Sequence, residues 1–264
     1  MKLLLLPLGF IFASSAFAGG SCDLELQSSL RISSSSLEFI KDGAEQYRIV
    51  NDQDLWVANK KIALNQQQRL VVKDYALGVR AMVPEVRELT LDGVDLAADA
   101  MKLVFDEFLG ADHQAPQEVN GAFRLLRKDV EKSFSTDQPI YLNQKGSDAT
   151  NILGKEFRAR VNEIMESSGE EIAWSFIKAI GASIFSSNRE QDFETSMKKF
   201  GARMEREMKQ HSEKLEVSGN KVCHLAKQLD LKEEELKKSV NNIALFNFIL
   251  IREKSEEGKR HDGL

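Results

Sequence analysis

The sequence predicts an α+β protein that is mainly α. A small N-terminal β-meander, residues 19–64, is expected to pack on an elongated bundle of long amphipathic helices, residues 65–252. Three observations lead there. Between residues 24 and 49 apolar and polar residues alternate in short runs, the period-2 pattern of strands with one buried face. After Leu64 the apolar residues recur at helical spacing. One stripe, from Phe193 to Leu229, keeps the 3.6-residue period of a nearly straight helix. Such a helix is about 54 Å long at 1.5 Å per residue, more than a compact domain requires.

The chain opens on Met1 and Lys2, an apolar run from Leu3 to Phe12, and the small-residue exit Ala16-Phe17-Ala18. This is the layout of a secretory signal peptide, and an apolar run of about ten residues is too short to cross a bilayer. Residues 1–18 are therefore expected to be removed after Ala18, leaving a periplasmic protein that starts at Gly19. The full chain of 264 residues carries a net charge of −5. Removing 18 residues, one of them basic and none acidic, leaves 246 residues with 35 basic and 41 acidic groups. That balance excludes a disordered chain and a multi-pass membrane protein, and it weighs against a broad nucleic-acid binder.

Two cysteines, Cys22 and Cys223, are present. In an exported chain they suggest one disulfide. Lipidation of Cys22 and a pair of free thiols are the alternatives. No C-x-x-C motif supports a thiol-redox catalyst.

In the first part of the mature chain, Leu24 alternates with Leu26, Leu30 with Ile32, Leu37 with Phe39, and Tyr47 with Ile49. The serines at 33–36, Asp42-Gly43 and Asn51-Asp52 are turn formers between these runs. Asn59-Lys60 reads as a further hairpin turn, between residues 54–58 and 61–64. Helical stripes follow. The first is Val71, Tyr75, Val79 and Met82, ending before Pro84. The second runs from Val86 through Thr90, Val94, Ala97, Met101 and Phe105 to Phe108, bounded by Gly110. The third is Val119, Phe123, Leu126, Val130 and Phe134.

A polar loop through Pro139, Gly146 and Gly154 then holds the short apolar unit Ile140-Tyr141-Leu142. A fourth helix is expected over 155–185, with Ser187 and Asn188 as caps for the long fifth helix. Gly201 and Gly219 within that helix suggest close helix packing. Residues 243–251 are the most apolar stretch of the mature chain, yet at about nine residues they cannot span a membrane. They read as a buried terminal helix or strand, with membrane-surface docking and partner binding as alternatives. A polar tail, residues 253–264, follows.

Chemistry-bearing patterns are sparse. There is no nucleophile elbow, Walker A loop, dinucleotide fingerprint or EF-hand. His113 and His261 lie in a loop and the tail, and His211 falls on the apolar stripe, where a core histidine is expected. Glu207 and His211 share a helix face, but Cys223 and His224 lie about 18–20 Å further along a straight helix, so no metal site is expected. Asp92, Asp95 and Asp99, with Asp106 beyond them, lie along one side of the second helix. Paired carboxylates can serve as acid and base or hold calcium weakly, although such a row is more ordinarily a solvated face. Lys198, Lys199, Arg203, Arg206 and Lys209 are interleaved with acids in the manner of i, i+4 surface pairing. No catalytic, cofactor-binding or metal-binding residues are assigned, and no cofactor is expected.

The run NKKIALNQQQR from Asn59 to Arg69, then Lys73-Asp74-Tyr75, Phe200-Gly201 and NKVCHL from Asn220 to Leu225, follow the signal peptide and the early cysteine in this order. Together they resemble the YggN-like family of exported Gram-negative proteins, which has no established activity. The resemblance implies periplasmic residence and supplies no site residues. The chain extends past Leu236, beyond the shorter members, so the resemblance leaves residues 243–251 unexplained.

The expected function is a non-enzymatic periplasmic protein that binds, scaffolds or acts as a chaperone, its partner another envelope protein or an unfolded client. Met197, Met204 and Met208 read first as core packing; in the chaperone version they would give an adaptable apolar groove. The alternatives are an envelope hydrolase acting through Asp92 and Asp95, and a peripheral membrane protein docked through 243–251. Intact mass spectrometry of the exported protein is expected to give a chain starting at Gly19 and lighter by two hydrogens. An acylated Cys22 would contradict both the cleavage site and the disulfide.

Overall fold

The alternating runs form strands. The computed structural model describes residues 22–108, 115–142, 159 and 189–253. Its strands are β1 (Cys22–Leu26), β2 (Ser29–Ile32), β3 (Ser36–Lys41), β4 (Ala44–Val50), β5 (Asp54–Val57), β6 (Lys60–Lys61), β7 (Ile140–Leu142) and β8 (Ile249–Glu253). Six of them make an antiparallel sheet in the order β6-β5-β4-β3-β2-β7, and β1 pairs separately with β8. Because the side-chain period is two, the register lines up the apolar residues in two rows. One row runs Leu142, Leu30, Phe39, Tyr47, Val57; the other runs Ile140, Ile32, Leu37, Ile49, Leu55.

The hairpin turns have a common chemistry. Asp42 and Gly43, and Ala58 and Asn59, are the central residues of two-residue turns and have the positive φ that type I′ turns require; Asn51 and Asp52 also have positive φ, in a connection that Gln53 lengthens to three residues. The last turn therefore falls one residue earlier than the expected Asn59-Lys60. Ala58 is held left-handed there although it is not a glycine.

The helices are α1 (Gln66–Phe108), α2 (Ala115–Ser133) and α3 (Arg189–Ser239). Asn65 starts α1 with a capping box: its Oδ1 accepts the Gln68 N–H at 2.8 Å, and the Gln68 Oε1 accepts the Asn65 N–H at 3.0 Å. The expected break at Pro84 does not occur, and α1 continues through it. An internal proline costs about 3 kcal/mol. Here α1 is tied to α3 both before and after the proline, through Asp74–Lys232 at 2.8 Å and Glu85–Lys221 at 2.7 Å. Apart from residue 159, which is helical, the expected fourth helix lies outside the described residues, as do the Ser187 and Asn188 caps, the signal peptide and residues 254–264.

Both α2 and α3 pack on α1. α1 packs tightly on α3 at Gly78, where a Cβ would come within 3.2 Å of Leu229 Cδ1. Gly201 has open space around it, so the close packing expected there belongs to Gly78 instead. Val72, Tyr75, Ala76 and Val79 of α1 join Leu229 and Leu236 of α3 over the inner sheet face, and Leu126 and Val130 extend the same core from α2.

Two late segments return to the strands. Ile140-Tyr141-Leu142, read from sequence as part of a loop, is the edge strand beside β2. The apolar C-terminal stretch forms a short 3₁₀ turn at Asn241–Ile243 and then β8. Strands are thus not confined to residues 19–64. Pairing partners for β1 and β2 come from 249–253 and 140–142.

A disulfide joins Cys22, at the start of β1, to Cys223 in α3, with Cα atoms 6.0 Å apart across 201 residues of chain. Closing so long a loop is worth up to about 5 kcal/mol in the chain-entropy model. Replacing both cysteines by serine is expected to lower unfolding stability by about 2–5 kcal/mol, read as a fall in the denaturant midpoint. An unchanged midpoint would mean the bond adds nothing to the packing.

Candidate functional site

The aspartate row on α1 is the sequence's main candidate for chemistry, and its members turn to different neighbours. Asp92 is buried, its side chain only 6% exposed. Its Oδ2 accepts the Ser218 hydroxyl at 2.8 Å and its Oδ1 meets Lys214 Nζ at 2.6 Å, both from α3. Asp95 faces α2 and holds Arg127 Nη1 at 2.5–2.6 Å. Asp99 faces α3 again, 3.3 Å from His211 Nε2. Asp106 is half-buried. Asp92, Asp95 and Asp99 are each paired with a different basic side chain, whereas a paired acid and base would need two carboxylates turned to one point.

The row instead belongs to a longer pattern. Asp74, Glu85, Asp92 and Asp99, all on α1, meet Lys232, Lys221, Lys214 and His211, all on α3. The partners ascend on one helix as they descend on the other, so the two helices run antiparallel. The hydrogen bond with Asp92 raises the Lys214 pKa, and that with Glu85 raises the Lys221 pKa. On the α2 side, the hydrogen bond with Asp95 does the same for Arg127. Asp95 and Arg127 also line an open cleft of about 460 Å³ between α1 and α2, with Val94, Ala98, Asn120 and Phe123. Their charges are engaged with each other across it.

The remaining candidates are dispersed. His211 is not a core histidine: its side chain is 39% exposed and points to the half-exposed Asp99. Glu207 pairs with Arg203 at 3.0 Å, and His224 is exposed, 3.1 Å from Gln228. Among the described residues no cluster of three or more metal-ligating side chains occurs. Met204 and Met208 are half-buried, while the Met197 side chain, His113 and His261 lie outside the described residues. In the C-terminal stretch Ile243, Phe248 and Ile249 are buried, and Leu245 projects with 96% exposure.

Two features escape sequence reasoning because they exist only through register and tertiary contact. On the outer sheet face Tyr141, Arg31, Glu38, Arg48, Trp56 and Lys61 stand opposite one another across all six strands. Arg31 donates to both Glu38 oxygens at 2.9 Å and to the Tyr141 hydroxyl at 2.9 Å. Arg48 lies 4.9 Å from the Trp56 ring centroid, a cation–π contact. The second feature is Glu233, a charged residue on the buried side of α3 and only 2% exposed. Its Oε1 accepts the Phe248 N–H at 2.7 Å. Burial is the main cause that raises its pKa to about 7. A lone acid on the inner side of an otherwise apolar helical stripe was the signal available in the sequence.

These features define an α+β protein whose strand β1 is stapled by a disulfide to α3 and whose acidic row ties helices together. The chain belongs to DUF2884, a protein family of unknown function, whose model matches residues 22–249. The match reaches Ile249 and so takes in most of the apolar stretch that the YggN-like resemblance left unexplained. No curated protein and no solved structure matches the chain. Among the described residues no helix is long and apolar enough to cross a membrane.

The pairings set an order of sensitivity. Asp92→Ala removes a buried acceptor and leaves Ser218 without its partner, and is expected to cost about 1–3 kcal/mol. Asp95→Asn breaks a half-exposed pair and is expected to cost less than about 1 kcal/mol. Thermal unfolding of the two variants checks the order. An equal or reversed effect would contradict the placement of Asp92.

Proposed function

We propose that the protein is an exported periplasmic protein that works by binding or scaffolding another polypeptide, and not by catalysis. The observation that carries this reading is the engagement of the acidic row: Asp92, Asp95 and Asp99 are each paired with a side chain of α2 or α3. Carboxylates that fix helix to helix serve as structure. The compartment follows from a leader at 1–18, cut after Ala18, together with a disulfide that closes 201 residues. Such bonds persist in oxidising compartments.

The shape that suits this role is an elongated bundle of long amphipathic helices carrying the small sheet at one end. Contact points for a partner lie along its length. Leu70 and Leu77 are exposed seven residues apart on α1, and Val217 and Leu231 are exposed on α3. An envelope protein or an unfolded client offers the apolar side chains that would cover them. Docking to a membrane through 243–251 is the less favoured role, since Ile243, Phe248 and Ile249 face the core.

The test is site-specific photo-crosslinking in the intact periplasm from positions 77 and 231, with mass-spectrometric identification of adducts. One recurrent envelope protein is expected at both positions, or, for a chaperone, suppressed aggregation of an unfolded client by the purified mature chain. If neither occurs, the binding reading fails.

A further inference from the structure

Glu233 has a place in the fold that suits it to more than packing. It lies in α3, opposite the segment 246–249 that leads into β8. That segment is held in three ways. Phe246 stacks on Tyr47 with ring centroids 5.8 Å apart, and Phe248 meets Phe39 edge-on at 5.2 Å. The backbone bonds to the end of β1, with the Gln27 N–H donating to the Phe248 carbonyl at 2.7 Å and the Ser28 hydroxyl donating to the Asn247 carbonyl at 3.0 Å. The third hold is the Glu233 carboxylate, which accepts the Phe248 N–H at 2.7 Å and reaches the Ile249 N–H at 3.5 Å.

We propose that Glu233 is a proton-operated latch for the segment 246–249, closed while the carboxyl carries a proton and loosened as it ionises. The charged groups around it explain why. From β4 and α1 it faces the phenols of Tyr47 and Tyr75, both fully buried and both held neutral far above the ordinary tyrosine range, chiefly by desolvation. On α3 itself Asp230 repels its charge and Lys237 attracts it. The Lys237 ammonium, however, bonds to Glu234 and to the Asn247 side chain. From the C-terminal segment Glu233 receives backbone N–H groups. Among the described residues no cation stands within ion-pair distance of its carboxylate. An ionised Glu233 therefore lies buried with only two amide donors and a more distant ammonium to support it.

The direction follows from linkage. In the closed state burial lifts the carboxyl from its ordinary 4.5 to about 7, against the opposing pull of the two amides and Lys237. With the segment open, the carboxyl is solvated and returns toward 4.5. The closed state thus holds the proton more tightly. Its advantage is full below pH 4.5 and is lost as the pH rises through about 7. Opening would bare Phe246, Phe248 and the ring faces of Phe39 and Tyr47, while Cys22–Cys223 keeps β1 tethered to α3.

Amide hydrogen exchange of the oxidised full-length mature chain, corrected for intrinsic rates and read residue by residue, tests this. The protection of Phe248 and Ile249 is expected to fall about tenfold between pH 6 and pH 8, while Phe39 and Tyr47 in β3 and β4 keep theirs. Glu233→Gln should abolish the pH dependence. A purely structural contact would instead lower protection equally at every pH. If that variant does not fold, Lys237→Met gives a second reading, because losing the ammonium should move the midpoint upward. Equal protection at pH 6 and pH 8 in the wild type, the same pH response in Glu233→Gln, a parallel loss in β3 and β4, or an unmoved midpoint in Lys237→Met would each overturn the proposal.

Discussion

A sheet with one apolar face has to be covered, and the rest of this molecule is arranged around that requirement. The two inward rows centred on Phe39 and Leu37 leave no buried residue of the sheet's middle strands without an apolar neighbour across the strand. Their cover comes from three widely separated pieces of chain: the first turns of α1, the last turns of α3, and the segment that ends in β8. Phe39 meets two of these pieces at once, near Tyr75 of α1 at 5.9 Å and edge-on to Phe248, while it stacks on Tyr47 of the sheet at 4.2 Å. The antiparallel course of α3 along α1 follows, since only a returning helix brings Leu229 and Leu236 back over the same strands.

Charge then sets the alignment of the two long helices without supplying much of the energy. Partly exposed pairs such as Asp74–Lys232 are worth about 0–1 kcal/mol each. In each of the four pairs between them the acid is on α1 and the base on α3, so a shifted alignment would break all four together. Gly78 adds a steric requirement, since a side chain there would press on Leu229. The burial of Asp92 is explained by the same geometry, as Ser218 and Lys214 together replace the water it gives up.

Much of this was legible residue by residue. The alternation of Leu30 with Ile32, Leu37 with Phe39 and Tyr47 with Ile49 identified the inner face, because strand periodicity is local. The stripes through Val71, Tyr75 and Val79, and through Leu126 and Val130, are local for the same reason. What the sequence concealed depends on distant partners. Pro84 reads as a stop until the anchors on both sides of it are known. Tyr141 looks like a loop residue until its strand finds β2. Ala97, placed on the second stripe by its spacing, is exposed. His211 sits at stripe spacing too, yet it turns to Asp99 on α1 and stays 39% exposed. Glu233 breaks the hydrophobic pattern at the point where the last strand needs an acceptor for its amides.

The pairing of β1 with β8 also fixes an order of events in the life of the chain. Among the described residues, 22–26 take their strand partner from 249–253 alone, and Cys22 takes its sulfur partner from 201 residues downstream. Synthesis proceeds from the other end. The first strand must therefore wait, unpaired and with a reduced thiol, while the sheet hairpins and α1 are made. Contacts of such separation are slow to form, and the molecule is closed by the last piece to arrive.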